Sequence, residues 1–280
     1  MKQINLTVGQ LLRQWRQQRR LSQFALAVEA EISQRHLSFI ESGRALPSRE
    51  MILRLAAQLD VPLRERNILL TAAGYAPLYS EARPDTPGHA QVQQFLQFIL
   101  NGCEPFPALA VDRCWQLYAA NKTLLSLLSG IDQSLLQPPV NVLQLSLHPQ
   151  GLAPRIANYT QWREHILLRL EQQIRDTADA RLSTLLQQLS QYPPPAGVKP
   201  EQQQVQAQLA QLAVPMQLHT EYGLLSLINT TTVFGTSTDI TLAELAIECF
   251  FPADEHSAAL LRQLAIASTE SDNGGKDGTG

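Results

Sequence analysis

Residues 21–43 read LSQFALAVEAEISQRHLSFIESG, and the fold of the surrounding chain follows from them. Ser22 stands where a helix needs an N-cap, with a hydroxyl to offer a free backbone N–H. Leu26, Ala27 and Ala30 fall on one face of the helix that follows. Ile32 is the apolar residue at the turn, and Ser33 caps a second helix. In that helix Leu37 and Ile40 turn inward, while Gln34, Arg35 and Ser38 turn outward. Gly43 ends it where a residue of positive φ is usual. Two short helices with a small interior and a polar outer face on the second make a helix-turn-helix. The plainer alternative is an ordinary αα-hairpin.

The flanks favour the first reading. Gly9 to Arg20, GQLLRQWRQQRR, has an apolar stripe of Leu11, Leu12 and Trp15 and reads as a helix. Pro47 bars helix continuation after Gly43, and Ser48 caps a fourth helix carrying Met51, Leu53, Leu55, Ala56 and Leu59. Val61-Pro62-Leu63 is a turn, and Glu65 to Ala73 is a fifth helix stopped by Gly74. Charge is uneven along the chain. Residues 1–83 hold 12 Lys/Arg against 7 Asp/Glu, and the remainder 10 against 18, so a basic head precedes an acidic body. A basic head on an acidic body suits a head that meets polyphosphate, the alternative on charge alone being a solvated charged face.

Residues 8–76 resemble the phage-repressor-like, or xenobiotic-response-element type, helix-turn-helix family. The residues that carry the resemblance include Leu21, Ser22, Gln23, Leu26, Ala27, Ala30, Ile32, Ser33, Leu37, Ile40, Glu41, Gly43, Pro47 and Ser48. Glu31 stands where the family often has Gly in the turn. The resemblance implies that Gln23 and Gln34 brace each other, the first touching phosphate and the second an adenine edge. A glutamine amide can bond both N6 and N7 of adenine. Arg35 suits guanine or phosphate, Ser38 a base or the backbone, and Arg44 and Arg49 phosphates. Ser33, at the start of the recognition helix, completes the DNA-binding set.

At 280 residues and 44% hydrophobic, the chain is long enough for two domains with real cores. Its three cysteines, Cys103, Cys114 and Cys249, are odd in number and form no CxxC, which points away from a disulfide framework or zinc finger and toward a cytoplasmic setting. No apolar run reaches membrane-spanning length, and no signal-peptide core stands at the N-terminus.

Tyr75 to Gly88 is rich in proline and reads as a linker in which Leu78 and Tyr79 have the bulk to dock. His89 to Asn101 is a helix suited to packing or to pairing with a second subunit. Ala108 to Val111 and Trp115 to Ala119 read as strands about a turn, followed by Asn121 and a helix to Leu128; this order resembles the opening of a PAS-type sensor domain. Asn141 to Leu147 fits strand or helix. Tyr159 to Ile174, Ala180 to Leu189 and Glu201 to Leu212 are read as helices. Val214 to Thr220, Leu224 to Phe234 and Leu242 to Phe251 are read as strands. A helix from Asp254 to Ala267 closes the pattern. The expected domains are 1–76 for DNA binding, 77–88 as linker, 89–269 as a PAS-like ligand-binding and dimerisation domain, and 270–280 as a disordered tail.

PSREMILRLAAQLDVPLRERNILLTAAGYAP, ALAVDRCWQLYAAN, LHPQGLAPRIANYTQWREHILLRL and TLAELAIECFFPAD are similar to the MmyB-like transcription regulators. The resemblance implies an all-α helix-turn-helix domain of five helices followed by an α+β PAS-like domain with an antiparallel sheet. It implies a regulator that binds DNA and a small ligand. An enzyme reading, such as a self-cleaving repressor, needs a Ser beside a buried Lys. Beyond residue 83 the lysines are Lys122, Lys199 and Lys276, and no HExxH, GxSxG or Walker loop occurs. A non-enzyme is expected, with no cofactor. A second domain serving only dimerisation or protein contact is the alternative.

The walls expected around a ligand are aliphatic: Leu109, Val111, Leu117, Leu124, Leu128, Leu143, Leu147, Ile166, Leu170, Ile228, Phe234 and Phe250. Such walls suit a fatty acid or similar lipid-like molecule. Its carboxylate would need a cation. Arg155 is the first candidate, with His148 and Asn158 near it in sequence, and Arg113 is the reserve. A homodimer completes the expectation.

Overall fold

The computed structural model describes residues 6–82, 87–177, 179–195, 214–235 and 237–274. These form two compact units, 1–89 with 235–243, and 90–234 with 244–280. In the first unit α1 (Val8–Gln18), α2 (Gln23–Glu29), α3 (Gln34–Glu41), α4 (Arg49–Gln58) and α5 (Leu63–Ala72) appear in the order expected. Thr7, Ser22, Ser33 and Ser48 each accept a backbone N–H at a helix start. The core is Leu12, Leu26, Leu37, Ile40, Ile52, Leu55 and their neighbours, all essentially inaccessible to solvent. Gly9 lets α1 meet α3 closely, since a Cβ there would lie 2.1 Å from the Ile40 carbonyl oxygen.

Within that apolar core one charge pair is enclosed. Arg16 on α1 donates from Nε and Nη2 to the Glu41 carboxylate on α3 at 2.6 and 2.8 Å, and Gln23 Nε2 on α2 adds a third bond at 2.8 Å. Three helices are thus tied at one buried carboxylate. Other head arginines are also held by backbone carbonyls: Arg19 donates to the Leu59 carbonyl and Arg66 to the Val61 carbonyl. The proline-rich stretch after α5 is held to the head by Asn67, whose amide bonds Leu78 and the Tyr79 backbone. Residues 235–243 join this unit as well. Their short helix α11 (Ile240–Ala243) begins with Ile240 N–H donating to the Ser80 carbonyl, while the Ser80 hydroxyl bonds Asp239 and Thr241 bonds Ala82.

The second unit contains α6 (Pro87–Gly102), β1 (Ala108–Val111), β2 (Leu117–Ala120), α7 (Lys122–Leu127), α8 (Val142–Leu147), α9 (Tyr159–Thr177), α10 (Ala180–Ser190), β3 (Met216–Thr220), β4 (Gly223–Val233), β5 (Ala246–Pro252) and α12 (Glu255–Gly274). The five strands form one antiparallel sheet in the order β2-β1-β5-β4-β3. Alternation sends Leu225 and Leu227 of β4 into the core. The same parity places Asn229 and Thr231 on that face, as it does Glu248 and Phe250 of central strand β5. The helix α9 lies against this face with Trp162, Ile166 and Leu170 buried.

Of the two alternatives open for Asn141–Leu147 the structure has the helix, because Asn141 caps α8 with bonds to the N–H groups of Leu143 and Gln144. Other expectations are corrected. The strand expected from Trp115 starts at Leu117, because Asp112 accepts the N–H groups of Cys114 and Gln116 and leaves Trp115 at φ 66° in the turn. The span 242–251 is part helix, part strand. The last helix runs to Gly274, into the stretch expected to be disordered; 275–280 and the helix expected at 201–212 lie outside the described residues.

Burial alone would raise the Glu41 pKa, but the bonds from Arg16 and Gln23 hold it below the ordinary carboxylate value. A carboxyl so lowered contributes stability above its unfolded pKa of about 4.3 and loses it as pH falls through the folded value. Replacing Glu41 by Ala leaves Arg16 buried without its counter-ion and is expected to cost about 3–5 kcal/mol. Glu41→Gln should flatten the fall of melting temperature below about pH 5. Thermal melts across pH check both.

Candidate functional site

The turn between α2 and α3 is built without glycine. Glu31 adopts φ 54°, at a cost of roughly 1–2 kcal/mol. Ile32 N–H then donates to the Ala27 carbonyl, and the Ser33 hydroxyl accepts the His36 N–H at 3.1 Å. This starts α3 with Gln34 and Arg35 exposed on its outer face and Ser38 half-buried beside them. Gln23 is held by Glu41 rather than by Gln34. Arg44 is exposed just past Gly43, and Arg49 begins α4. The guanidinium groups of Arg35 and Arg44 stand 5.4 and 5.7 Å from the Phe39 ring. Phe39 was not among the expected site residues. It positions two cations at either end of one helix through ring attraction.

The second unit encloses a cavity of about 90 Å³ between the sheet, α7, α8 and α9. Leu109, Leu117, Leu124, Leu128, Leu143, Ile166 and Phe250 line it, as do Leu127, Leu145, Leu152, Met216, Leu218 and Leu227. Val111, Leu147, Leu170, Ile228 and Phe234 do not. Ile228 has the opposite strand parity from Leu227. Phe234 lies beyond the end of β4 and packs on Phe95, ring centres 5.8 Å apart.

The expected carboxylate clamp is elsewhere and otherwise occupied. Arg155 is not part of the lining; it donates to the carbonyls of Leu127, Ser129 and His219. Asn158 holds β3 by bonding the Pro215 carbonyl and the Gln217 N–H. His148 accepts the Gln150 N–H and packs edge-on against Tyr192. Arg113 pairs with Glu244 at 3.8 Å. All four tie loops or elements together.

A different polar group stands in the wall. Arg169 on α9 donates from both Nη atoms to Glu248 on β5, at 2.8 and 3.3 Å, and from Nη2 to the Thr231 hydroxyl at 2.8 Å. Its guanidinium lies 4.5 Å from the Trp115 ring centre. The Trp115 indole in turn donates to Gln173, one helical turn further on. Glu248 is 2% exposed. Thr231 donates to one of its oxygens and Asn229 to the other. Asn229 Oδ1 is buried without a hydrogen-bond partner. An unmet buried acceptor costs about 1–3 kcal/mol. His165 lines the same end and stacks on Trp162. Burial lowers its pKa, and the Arg169 charge lowers it further against the opposing Glu248, so the ring is neutral at pH 7. The sequence places His165 and Arg169 on the helix read from Tyr159 to Ile174 without marking either as part of a site. The signal for this group was Glu248, a lone acid in the apolar run AIECFF, which must find a partner when buried.

Among the described residues no cluster of His, Cys, Asp or Glu is arranged to hold a metal ion, and no helix is long and apolar enough to cross a membrane. Residues 7–69 match a helix-turn-helix domain family. The chain is 36% identical over 102 residues to the uncharacterized HTH-type transcriptional regulator RghRB of Bacillus subtilis, covering 35% of this chain and 71% of that one. It is 33% identical over 67 residues to multiprotein-bridging factor 1 of Candida albicans, covering 24% of this chain and 44% of the relative. A second bridging factor, from Debaryomyces hansenii, matches at the same identity over 45% of its length. The chain thus spans less than half the length of either bridging factor. Residues 92–264, most of the chain, match the family described as MmyB-like transcription regulator ligand binding domain. The cavity lies within that span, and the chain belongs to the MmyB-like transcription regulators.

Proposed function

We propose that this protein binds a specific double-stranded DNA site as a homodimer through α3, and that the cavity takes a small apolar ligand which alters that affinity. The DNA reading is supported by the outward face of α3, where Gln34, Arg35 and Ser38 stand ahead of Arg44 and Arg49. Gln34 and Arg35 suit base edges; Gln23, Ser33, Arg44 and Arg49 suit the phosphates beside them. One such module covers few base pairs, so a palindrome read by two copies fits.

The observation that carries the ligand reading is the cavity itself. Its aliphatic walls, with Leu109, Leu117, Leu124 and Ile166 among them, suit a fatty acid or another lipid-like chain, each buried CH₂ contributing about 0.8 kcal/mol. Dimerisation or protein contact alone is a second reading of this unit. It is favoured by Phe98, which is 78% exposed on α6. The two readings differ in what occupies the cavity.

Against a site selected from random sequence, Gln34→Ala or Arg35→Ala should cost about 1–3 kcal/mol and relax the preference locally. Arg49→Ala should weaken all sequences alike and lower the salt slope by about one. An equal loss on selected and random DNA for Gln34→Ala would remove α3 from the reading role. Denaturing mass spectrometry of the purified protein should recover an acyl-chain molecule. If it does not, and added chain compounds shift neither melting temperature nor DNA affinity, the ligand reading fails. Sedimentation of the full chain should give a dimer, weakened by Phe98→Glu if α6 forms the interface.

A further inference from the structure

We propose that Phe39 is a base-reading residue, whose ring packs against the C5 methyl of a thymine in the major groove. The inference rests on the α3 reading above and adds to it an apolar contact and the base that supplies it.

The core of the helical unit does not account for this side chain. Leu37 and Ile40, on either side of it in sequence, are buried in that core, and the partly buried Ile32, Ala45 and Met51 pack against it; Phe39 is not among them. Leu37, Ile40 and Glu41 mark the inward side of α3. Arg35, Phe39 and Ser42 fall at i, i+4 and i+7, along the line opposite. Arg35 and Ser42 are exposed, and Phe39 keeps part of its surface. Its backbone is well fixed. The Phe39 carbonyl accepts the N–H groups of Arg44 and Ala45 at 2.8 and 3.1 Å and the Ser42 hydroxyl at 3.2 Å. The helix end and the loop after it thus fold about this residue, and its ring stays on the outer side between Arg35 and Arg44.

A benzyl side chain has nothing to offer a phosphate or the polar atoms of a base edge. Among the groups that base pairs present in the major groove, the thymine C5 methyl is the apolar one. The two arginines beside the ring are drawn to phosphate or guanine, and they carry the ring to the duplex with them. Phe39 stands one turn beyond Arg35, about 6 Å along the helix. Base pairs repeat every ~3.4 Å. The thymine is therefore expected within about two base pairs of the group that Arg35 meets.

The test uses the full-length protein and the site selected from random sequence. Each thymine is replaced in turn by uracil, which pairs alike and lacks only the methyl. Wild type should lose about fourfold in affinity at one position of a half-site, the worth of one buried methyl. Phe39→Ala should bind the thymine site more weakly and be indifferent to that uracil. Phe39→Leu, apolar but without a ring for the cations, should keep the sensitivity. Both variants should melt near the wild-type temperature, since the core does not use this side chain. If Phe39 only holds Arg35 and Arg44 in place, Phe39→Ala weakens the thymine and uracil sites by one factor, and the inference is overturned. It is overturned equally if no uracil weakens wild type, or if the selected half-site holds no thymine; the α3 reading survives these results. Failure to select any sequence, or an equal loss on selected and random DNA for Gln34→Ala, overturns the α3 reading and this inference with it.

Discussion

Glu248 is an acid at the centre of a sheet, on the face turned to the core, and the second unit is arranged around keeping it there. A buried carboxylate without a partner is among the most costly features a core can contain. Here the partner comes from another layer. Arg169 reaches from α9 to β5, and that reach fixes how the helix lies along the strand. Thr231 and Asn229 complete the shell from the neighbouring strand β4, where alternation has already aimed them inward. A one-residue slip of β4 against β5 would turn both away from Glu248, so the pair also specifies register. The head solves its own packing in the same manner. Arg16, Gln23 and Glu41 tie three helices at one point, and removing Glu41 leaves both of the others unmatched.

The two charge centres differ in how far the sequence announces them. The head is legible because its determinants are local. Ser22, Ser33 and Ser48 cap helices whose first turns they adjoin, and Gly43 and Gly74 end helices at positive φ. Each such signal acts within a few residues. In the second unit the strands and long helices were legible by the same means, and the aliphatic walls by composition. The polar end was not, because its members come from four separate elements. Arg169 and Glu248 are joined only by folding, and no spacing rule links them. Ile228 was misplaced for a simpler reason: alternation fixes which residues share a face, but not which face is inward, until a neighbour such as Leu227 is known to be buried. Arg155 drew attention as a cation in a polar loop. Its donors are taken up by carbonyls at the end of α7 and on the edge strand β3, which only the folded backbone reveals.

The connection between β4 and β5 bears on how one unit can inform the other. These two strands carry Asn229 and Glu248, and of the residues between them 235–243 belong to the helical unit, where Asp239 and Thr241 bond Ser80 and Ala82. In sequence, β4 and β5 therefore flank a segment that belongs to the helical unit. Covalent continuity alone transmits nothing. A ligand alters DNA affinity only to the extent that it binds one arrangement of these elements better than another.

The cavity supplies the basis for such a difference. An apolar space of about 90 Å³, if left unfilled, would forgo about 2 kcal/mol of packing. That is a sizeable fraction of a typical folding free energy of about 5–15 kcal/mol. Collapse of α9 onto the sheet would recover it. The Arg169 side chain opposes collapse, because its guanidinium lies between the helix and the sheet with Trp115 on its face and Glu248 at its edge. Trp115 is itself held in a turn at positive φ by Asp112 and Gln173, so it does not readily give way. The pair is thus both the counter-charge for Glu248 and a spacer between α9 and the sheet. A molecule that filled the space would recover the missing contacts without closing the gap, and it would bind well only while α9 stood off the sheet, which is the differential affinity that ligand sensing requires.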